Sequence, residues 1–317
     1  MIRTWLLGSS VLLLFGCTTA KHKIYYINSY HVGYGSSDDV MRGIKQELKA
    51  KDISLKVFYM DTKRHTSPQR VQDVTQQVLC EIKAYQPDCI LASDDNAVKY
   101  IVVPYLKKGP TPVVFCGVNN TCTQYGLPTL HVTGMLEVLP VAQSIKILKQ
   151  HNPTMHRLIV LTENSTSARA NRAQLTPVYE KLGLTVRYVL VDTFDEWQRA
   201  FIQANQNTDL ICLPTNGAIQ GWDKERACAF VEQHIRVPIL THDDFMMPYA
   251  VFGLTKVAQE QGQWAARTAL AIMNGQSPAE ITVTQNQQTR MYVNQTLAHR
   301  INFHLPIDLH SQCIVVK

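Results

Sequence analysis

The 317-residue sequence predicts an α/β protein of two lobes, each built on a parallel sheet. Three observations carry this expectation. The hydrophobic period switches repeatedly between two and 3.6, as it does where strands alternate with crossover helices. Two such βαβ series of similar size follow one another, with the break near Pro140. Nothing between them resembles a Pro/Gly/Ser linker, so short crossings rather than a flexible tether are expected to join the lobes.

The elements follow in order. Lys23 to Asn28 reads as an apolar strand, and Asp38 to Lys49 as an amphipathic helix with Val40, Met41, Ile44 and Leu48 on one face. Leu55 to Met60 is the next strand. Ser67-Pro68 marks a helix start, because proline suits the first helical position, and Val71, Val74, Val78 and Ile82 continue its buried face. Cys89 to Ala92 and Val113 to Cys116 are short buried strands flanking a helix from Ala97 to Leu106. After Pro140 the second series runs helix to Lys149, strand Arg157 to Leu161, helix to Leu182, strand Thr185 to Val191, helix from Glu196, strand Leu210 to Leu213, helix from Asp223, and strand Pro238 to Thr241.

The N-terminus sets the compartment. Arg3 precedes an apolar stretch from Trp5 to Phe15, well short of the ~20 residues a spanning helix needs, so residues 1–16 read as a signal peptide. The segment ends Leu14-Phe15-Gly16-Cys17, which resembles a bacterial lipobox. That resemblance implies cleavage before Cys17, a lipid on its thiol, and residues 17–22 as a tether; ordinary cleavage after Ala20 is the alternative. The expected location is a bacterial membrane surface facing the periplasm or the cell exterior.

Composition excludes several classes. Hydrophobic residues make up 45% and charged residues 18%, as in a large soluble globular protein. The formal charge of +6, which becomes 6 − 1 = +5 once Arg3 leaves, is scattered rather than gathered into a stripe, so nucleic-acid binding is not expected. Eight cysteines less Cys17 leave seven, an odd number. Cys116 and Cys122 are close enough in sequence to close a small loop, whereas Cys80, Cys89, Cys212 and Cys228 read as small buried hydrophobes. Gly33-Tyr34-Gly35 sits where a dinucleotide fingerprint would, but Asp38 occupies its third glycine position and would repel a pyrophosphate. There is no Gly-x-Ser-x-Gly elbow and no phosphate-binding loop with its lysine. The histidines lack metal-ligand spacing, so neither metal nor cofactor is expected.

Several phrases together carry a family resemblance. Pro112-Val113-Val114-Phe115-Cys116-Gly117-Val118-Asn119 with Val132-Thr133-Gly134-Met135 resembles the fourth strand and first lobe crossing of the ABC-transporter substrate-binding family, whose members include lipoproteins for aromatic amino acids. Ala250-Val251-Phe252-Gly253, Gly262-Gln263-Trp264-Ala265-Ala266, Met273-Asn274-Gly275-Gln276-Ser277-Pro278 and Tyr292-Val293-Asn294 resemble its closing helix and return strand. Asn28-Ser29-Tyr30-His31-Val32-Gly33-Tyr34, Asp39 to Ile44 and Tyr59 to Arg64 are similar to a branch found as extracytoplasmic modules of sensor kinases. The resemblance implies two Rossmann-like lobes of the type I periplasmic binding protein fold with three interlobe crossings, near Glu137, Ala250 and Thr284. The lobes would be 23–137 with 251–283, and 138–250 with 284–317.

In parallel α/β sheets the carboxyl ends of the strands face one crevice, so the turns that follow the strands are the candidate site. Tyr30, His31, Asp61, Asp94, Asn119, Glu163, Asn164, Ser165, Thr215, Asn216 and Asp243 are the candidate ligand-binding residues. Ser, Thr, Asn and Asp at these positions also cap helices, and Asp38 and Asp39 are expected to do only that. Lys63 and Arg64 either grip a carboxylate or pair with Asp61; Trp222 and Phe245 either wall a ligand or cover the core. Carboxylates outnumber cations in these turns, which points to an amine-bearing solute such as an amino acid, with Asp94 or Asp243 taking the ammonium and Asn164 to Ser167, Thr215 and Asn216 the carboxylate. The expected partners are that small molecule, a membrane permease, and the membrane through the lipid. A sensing partner of a membrane kinase or cyclic-nucleotide signalling protein is the alternative. A hydrolase built on Asp94, Asp95 or Asp243 is a second.

Overall fold

The computed structural model describes residues 22–316. The expected signal peptide, the expected lipidation site Cys17 and most of the expected tether lie outside the described residues.

The first series folds as β1 (His22–Asn28), α1 (Gly35–Leu48), β2 (Ile53–Tyr59), α2 (Pro68–Tyr85), β3 (Cys89–Ser93), α3 (Asp94–Ala97) continuing as a π-helical segment (Val98–Leu106), β4 (Val113–Asn119) and β5 (Val132–Glu137). The second is α4 (Val141–His151), β6 (Arg157–Glu163), α5 (Thr166–Lys181), β7 (Thr185–Val191), α6 (Phe194–Asn207), β8 (Leu210–Cys212), α7 (Lys224–His234), β9 (Ile239–Thr241) and β10 (Phe252–Lys256). The chain then returns as α8 (Ala258–Met273) and β11 (Thr284–Gln285), and ends β12 (Thr289–Asn294), α9 (Gln295–Arg300), α10 (Ile307–His310) and β13 (Ile314–Val316). Local chemistry explains several boundaries. Ser67 caps α2 ahead of Pro68, Asp223 caps α7, and Thr193 with Glu196 forms a capping box on α6.

One sheet has the order β11-β5-β4-β3-β1-β2, all neighbours parallel; the other has the order β13-β12-β10-β9-β8-β6-β7, with β12 antiparallel to β10. Apolar cores cover both faces of the first sheet, one under α2 and the π-helical segment, the other under α1 and α8. Both lobes are therefore α/β layers with buried parallel strands, as expected.

Two boundaries differ from the sequence reading. The second crossing was expected near Ala250, but β10 pairs with β9 and β12, so residues 251–256 belong to the second lobe and the crossing lies at Val257. The third was expected near Thr284, but Thr284 and Gln285 pair with β5, which moves the crossing to 286–288. The three crossings lie side by side. Val138 N–H donates to Asn286 Oδ1 (2.7 Å), Val257 N–H to the Gln288 carbonyl (3.2 Å), and the N–H groups of Gln287 and Gln288 to the Glu260 carboxylate (2.8–3.1 Å).

The cysteines also need correction. Cys89 and Cys212 are buried, but Cys80 is exposed and Cys228 half-buried. Cys116 and Cys122 are free thiols in the cores on opposite faces of the first sheet.

Helix α8 docks on α1 with backbone nearly touching backbone. A Cβ at Gly262 would stand 1.9 Å from the Val40 carbonyl oxygen, and one at Gly43 2.2 Å from that of Gln259. Gly262→Ala is expected to force the helices apart and cost about 2–3 kcal/mol, read as a lowered urea midpoint with an unchanged slope. An unchanged midpoint would show that this seam has slack.

Candidate functional site

The strand ends of both sheets meet in a narrow cavity between the lobes. From the first lobe it is lined by Tyr30, Tyr34, Lys63, Asp94, Asn119 and Glu137; from the second by Ser167, Asn171, Thr215, His242, Asp243 and Lys256. Leu139, Val160, Ala168, Leu175, Tyr179 and Tyr188 give it an apolar wall at the second lobe.

Asp94 is placed by unusual backbone. It begins α3 directly after β3 with φ +74°, in the left-handed region that non-glycine residues rarely adopt. Its carboxylate accepts a short hydrogen bond from the Tyr30 hydroxyl (2.5 Å) and makes no ion pair among the described residues. Burial and the neighbouring Asp95 push its carboxyl up to about 7, with the Tyr30 bond and Lys63 opposing them. Asp95 is satisfied by neutral donors, the Asn119 amide (2.6 Å) and the Tyr125 hydroxyl (2.7 Å). The bulge between Cys116 and Val118, at Gly117 with φ +72°, turns the end of β4 to bring Asn119 there.

Two ion-paired groups complete the site. Lys256, at the end of β10, bonds Glu137 (2.7 Å) and Asp243 (2.9 Å); Lys256 and Asp243 are buried and Glu137 is 13% exposed. Burial raises the Glu137 carboxyl, and Lys256 only partly offsets it. Lys63 bonds Glu163 (2.5 Å). Burial works to lower the Lys63 ammonium, but Glu163 and Tyr34 outweigh it and hold the group above its usual range. His242, buried beside Ser144 Oγ (3.0 Å), is lowered to about 3 by burial and by Lys256, so it is neutral across the physiological range.

Of the eleven candidates, Tyr30, Asp94, Asn119, Thr215 and Asp243 line the cavity. The others do not. His31 and Asn216 face a wider hollow outside Tyr34, and Asp61 is held by Arg64 in a bidentate pair (2.9 and 2.6 Å). Asn164 faces Asp192 and Arg169, Ser165 caps α5, and Glu163 is buried behind Lys63. Asp243 is already matched by Lys256, so Asp94 alone of the two expected ammonium partners lacks a cation. Trp222 and Phe245 border the outer hollow, with Trp222 packed on Trp197. Asp38 accepts from Gly33 N–H at the start of α1, while Asp39 pairs with Arg42.

Lys256, Glu137 and the Tyr179–Tyr188 wall were missed. A charged residue closing an otherwise apolar strand, as in Phe252–Lys256 and Val132–Glu137, was the available signal for the first two. Among the described residues no group of His, Cys, Asp or Glu is arranged to hold a metal, and no helix is long and apolar enough to cross a membrane.

Comparison with known proteins places this architecture. The sequence matches the family described as ABC transporter substrate binding protein over residues 29–313. No curated protein matches it. Among solved structures, an ABC domain from Streptococcus pneumoniae in complex with L-Trp is similar at 16% identity and TM-score 0.74, over 93% of this chain and 99% of that one. A conserved domain protein from Vibrio cholerae gives 16% and 0.73 over the same shares. A ligand-free, open substrate binding protein with adhesive properties from Clostridium difficile gives 16% and 0.68, again over 93% and 99%.

Proposed function

Because the chain belongs to the ABC transporter substrate binding protein family, we propose that its interlobe cavity captures an amino acid or close relative with an apolar side chain, for delivery to a membrane permease. Family membership makes it a substrate-binding protein that works outside the cytoplasm with a permease partner. The ligand class rests on Asp94. Three carboxylates line the cavity, Asp94, Glu137 and Asp243; Lys256 pairs with the last two and Lys63 with Glu163 behind it, so Asp94 makes no ion pair among the described residues. A ligand ammonium supplies the missing charge at Asp94. Ser167 in the first turn of α5, with Thr215, receives the ligand carboxylate at the positive end of that helix. The wall of Leu175, Tyr179 and Tyr188 receives the side chain. A structural neighbour was solved with L-Trp, a zwitterion of this shape.

Cys17 carries the lipid anchor in this reading, and ligand binding closes the lobes about the three parallel crossings. Thermal-shift screening of amino acids, purines, sugars and polyamines tests the ligand class. A true ligand held at ~100 times its dissociation constant adds about 2.7 kcal/mol of stability. Stabilisation by an amino acid supports the reading, and stabilisation confined to sugars or anions would refute it.

A further inference from the structure

Lys63 follows β2 in the first lobe and Glu163 ends β6 in the second, yet their side chains meet at 2.5 Å with only 4% and 0% exposure. Each half is arranged within its own lobe. The Lys63 ammonium lies 5.0 Å from the ring centres of Tyr30 and Tyr34, and donates to the Tyr34 hydroxyl (3.2 Å). Glu163 accepts from Ser165 Oγ (2.9 Å) and Ala218 N–H (2.8 Å). Side chains fixed before they meet lose little entropy on meeting. Beside the pair, the Tyr34 ring, stacked on Tyr30, lies against Gly217 of the second lobe, where a Cβ would stand 2.5 Å from Tyr34 Cε2.

We propose that Lys63 and Glu163 form a latch between the lobes, with the Tyr34 ring seated on Gly217 as its seal, and that these contacts keep part of the protein closed without a ligand bridging the lobes. The inference rests on the two-lobed binding reading above. A buried charge that loses its partner is costly, so removing one half opens the protein, whereas removing both charges restores closure. Gly217 tests the seal independently, because its backbone lies outside the left-handed region and the atoms nearest an added methyl there belong to the ring of the opposite lobe.

The test is single-molecule energy transfer between dyes at the exposed positions Arg70 and Lys224, one on each lobe. Wild type alone is expected to show a compact population. Its ratio to the open form falls roughly tenfold or more in Lys63→Met, in Glu163→Gln and in Gly217→Ala, and recovers in the Lys63→Met/Glu163→Gln double variant. A wild type that is wholly open, single variants with an unchanged ratio, or a double variant no better than the singles would overturn the latch. The same molecules are then titrated with L-tryptophan, L-phenylalanine and L-leucine. Compaction by one of these with the single variants unchanged overturns the latch and leaves the binding reading standing. Compaction by none of them removes the binding reading, while the ligand-free ratios still decide the latch.

Discussion

Asp94→Asn is expected to weaken binding of an amine-bearing ligand by about 1.5–3 kcal/mol, the range for losing a hydrogen bond to a charged group and equal to roughly ten- to a hundredfold in affinity. The asparagine keeps the size of the side chain and an acceptor for the Tyr30 hydroxyl, so the loss reports charge rather than packing. A pH profile separates this from a merely structural effect. Burial holds the Asp94 carboxyl at about 7, above its ordinary value, so below that pH the free protein carries a proton there. An ammonium group binds the ionised form and must expel that proton. Wild-type affinity should therefore fall about tenfold per unit as the pH drops below 7 and level off above it. In Asp94→Asn the profile should be flat over the same range. Calorimetric titrations from pH 5.5 to 8.5 check both, and parallel profiles would show that another group carries the dependence.

Lys256→Met is expected to cost about 3–5 kcal/mol of stability, because it leaves Glu137 and Asp243 buried without their shared cation. The melting temperature should drop by roughly 10 °C. The sign of the pH effect follows from the carboxylates. Burial already raises Glu137, and loss of Lys256 raises it further, so the folded variant binds protons more tightly than the unfolded chain. Its defect should be smallest in acid and grow as the pH rises above the ordinary carboxyl range. Melting curves across pH 4 to 8 check this, and a defect independent of pH would point to lost packing of the lysine stem instead.

The lobes were legible in the sequence because period-2 and period-3.6 segments alternate with capping signals such as Ser67-Pro68 and Asp223 at the helix starts. The strand-end turns located the crevice for the same reason. What failed was everything that depends on which distant segment pairs with which. The apolar run Val251 to Leu254 suits either lobe, and only its pairing with β9 and β12 assigns it to the second. Counting carboxylates by turn also misjudged availability. Asp243 is neutralised by Lys256, which comes thirteen residues later on another strand, and Glu163 by Lys63 from the other lobe. Asp61 had its partner, Arg64, three residues away, and that pairing was among the alternatives weighed from sequence. Tyr179 and Tyr188 carry no sequence signal of a site, and Tyr179 is nearly inaccessible; only the meeting of the lobes makes them a wall of the cavity.

The most direct test of the binding account is a calorimetric titration with a matched pair: the amino acid that stabilises the protein most, and the same molecule with its amino group replaced by hydrogen. The account predicts that the deaminated acid binds at least about tenfold more weakly, because Asp94 loses the ammonium group that pairs with it. Equal affinity for the two, or tighter binding of the deaminated anion, would contradict it.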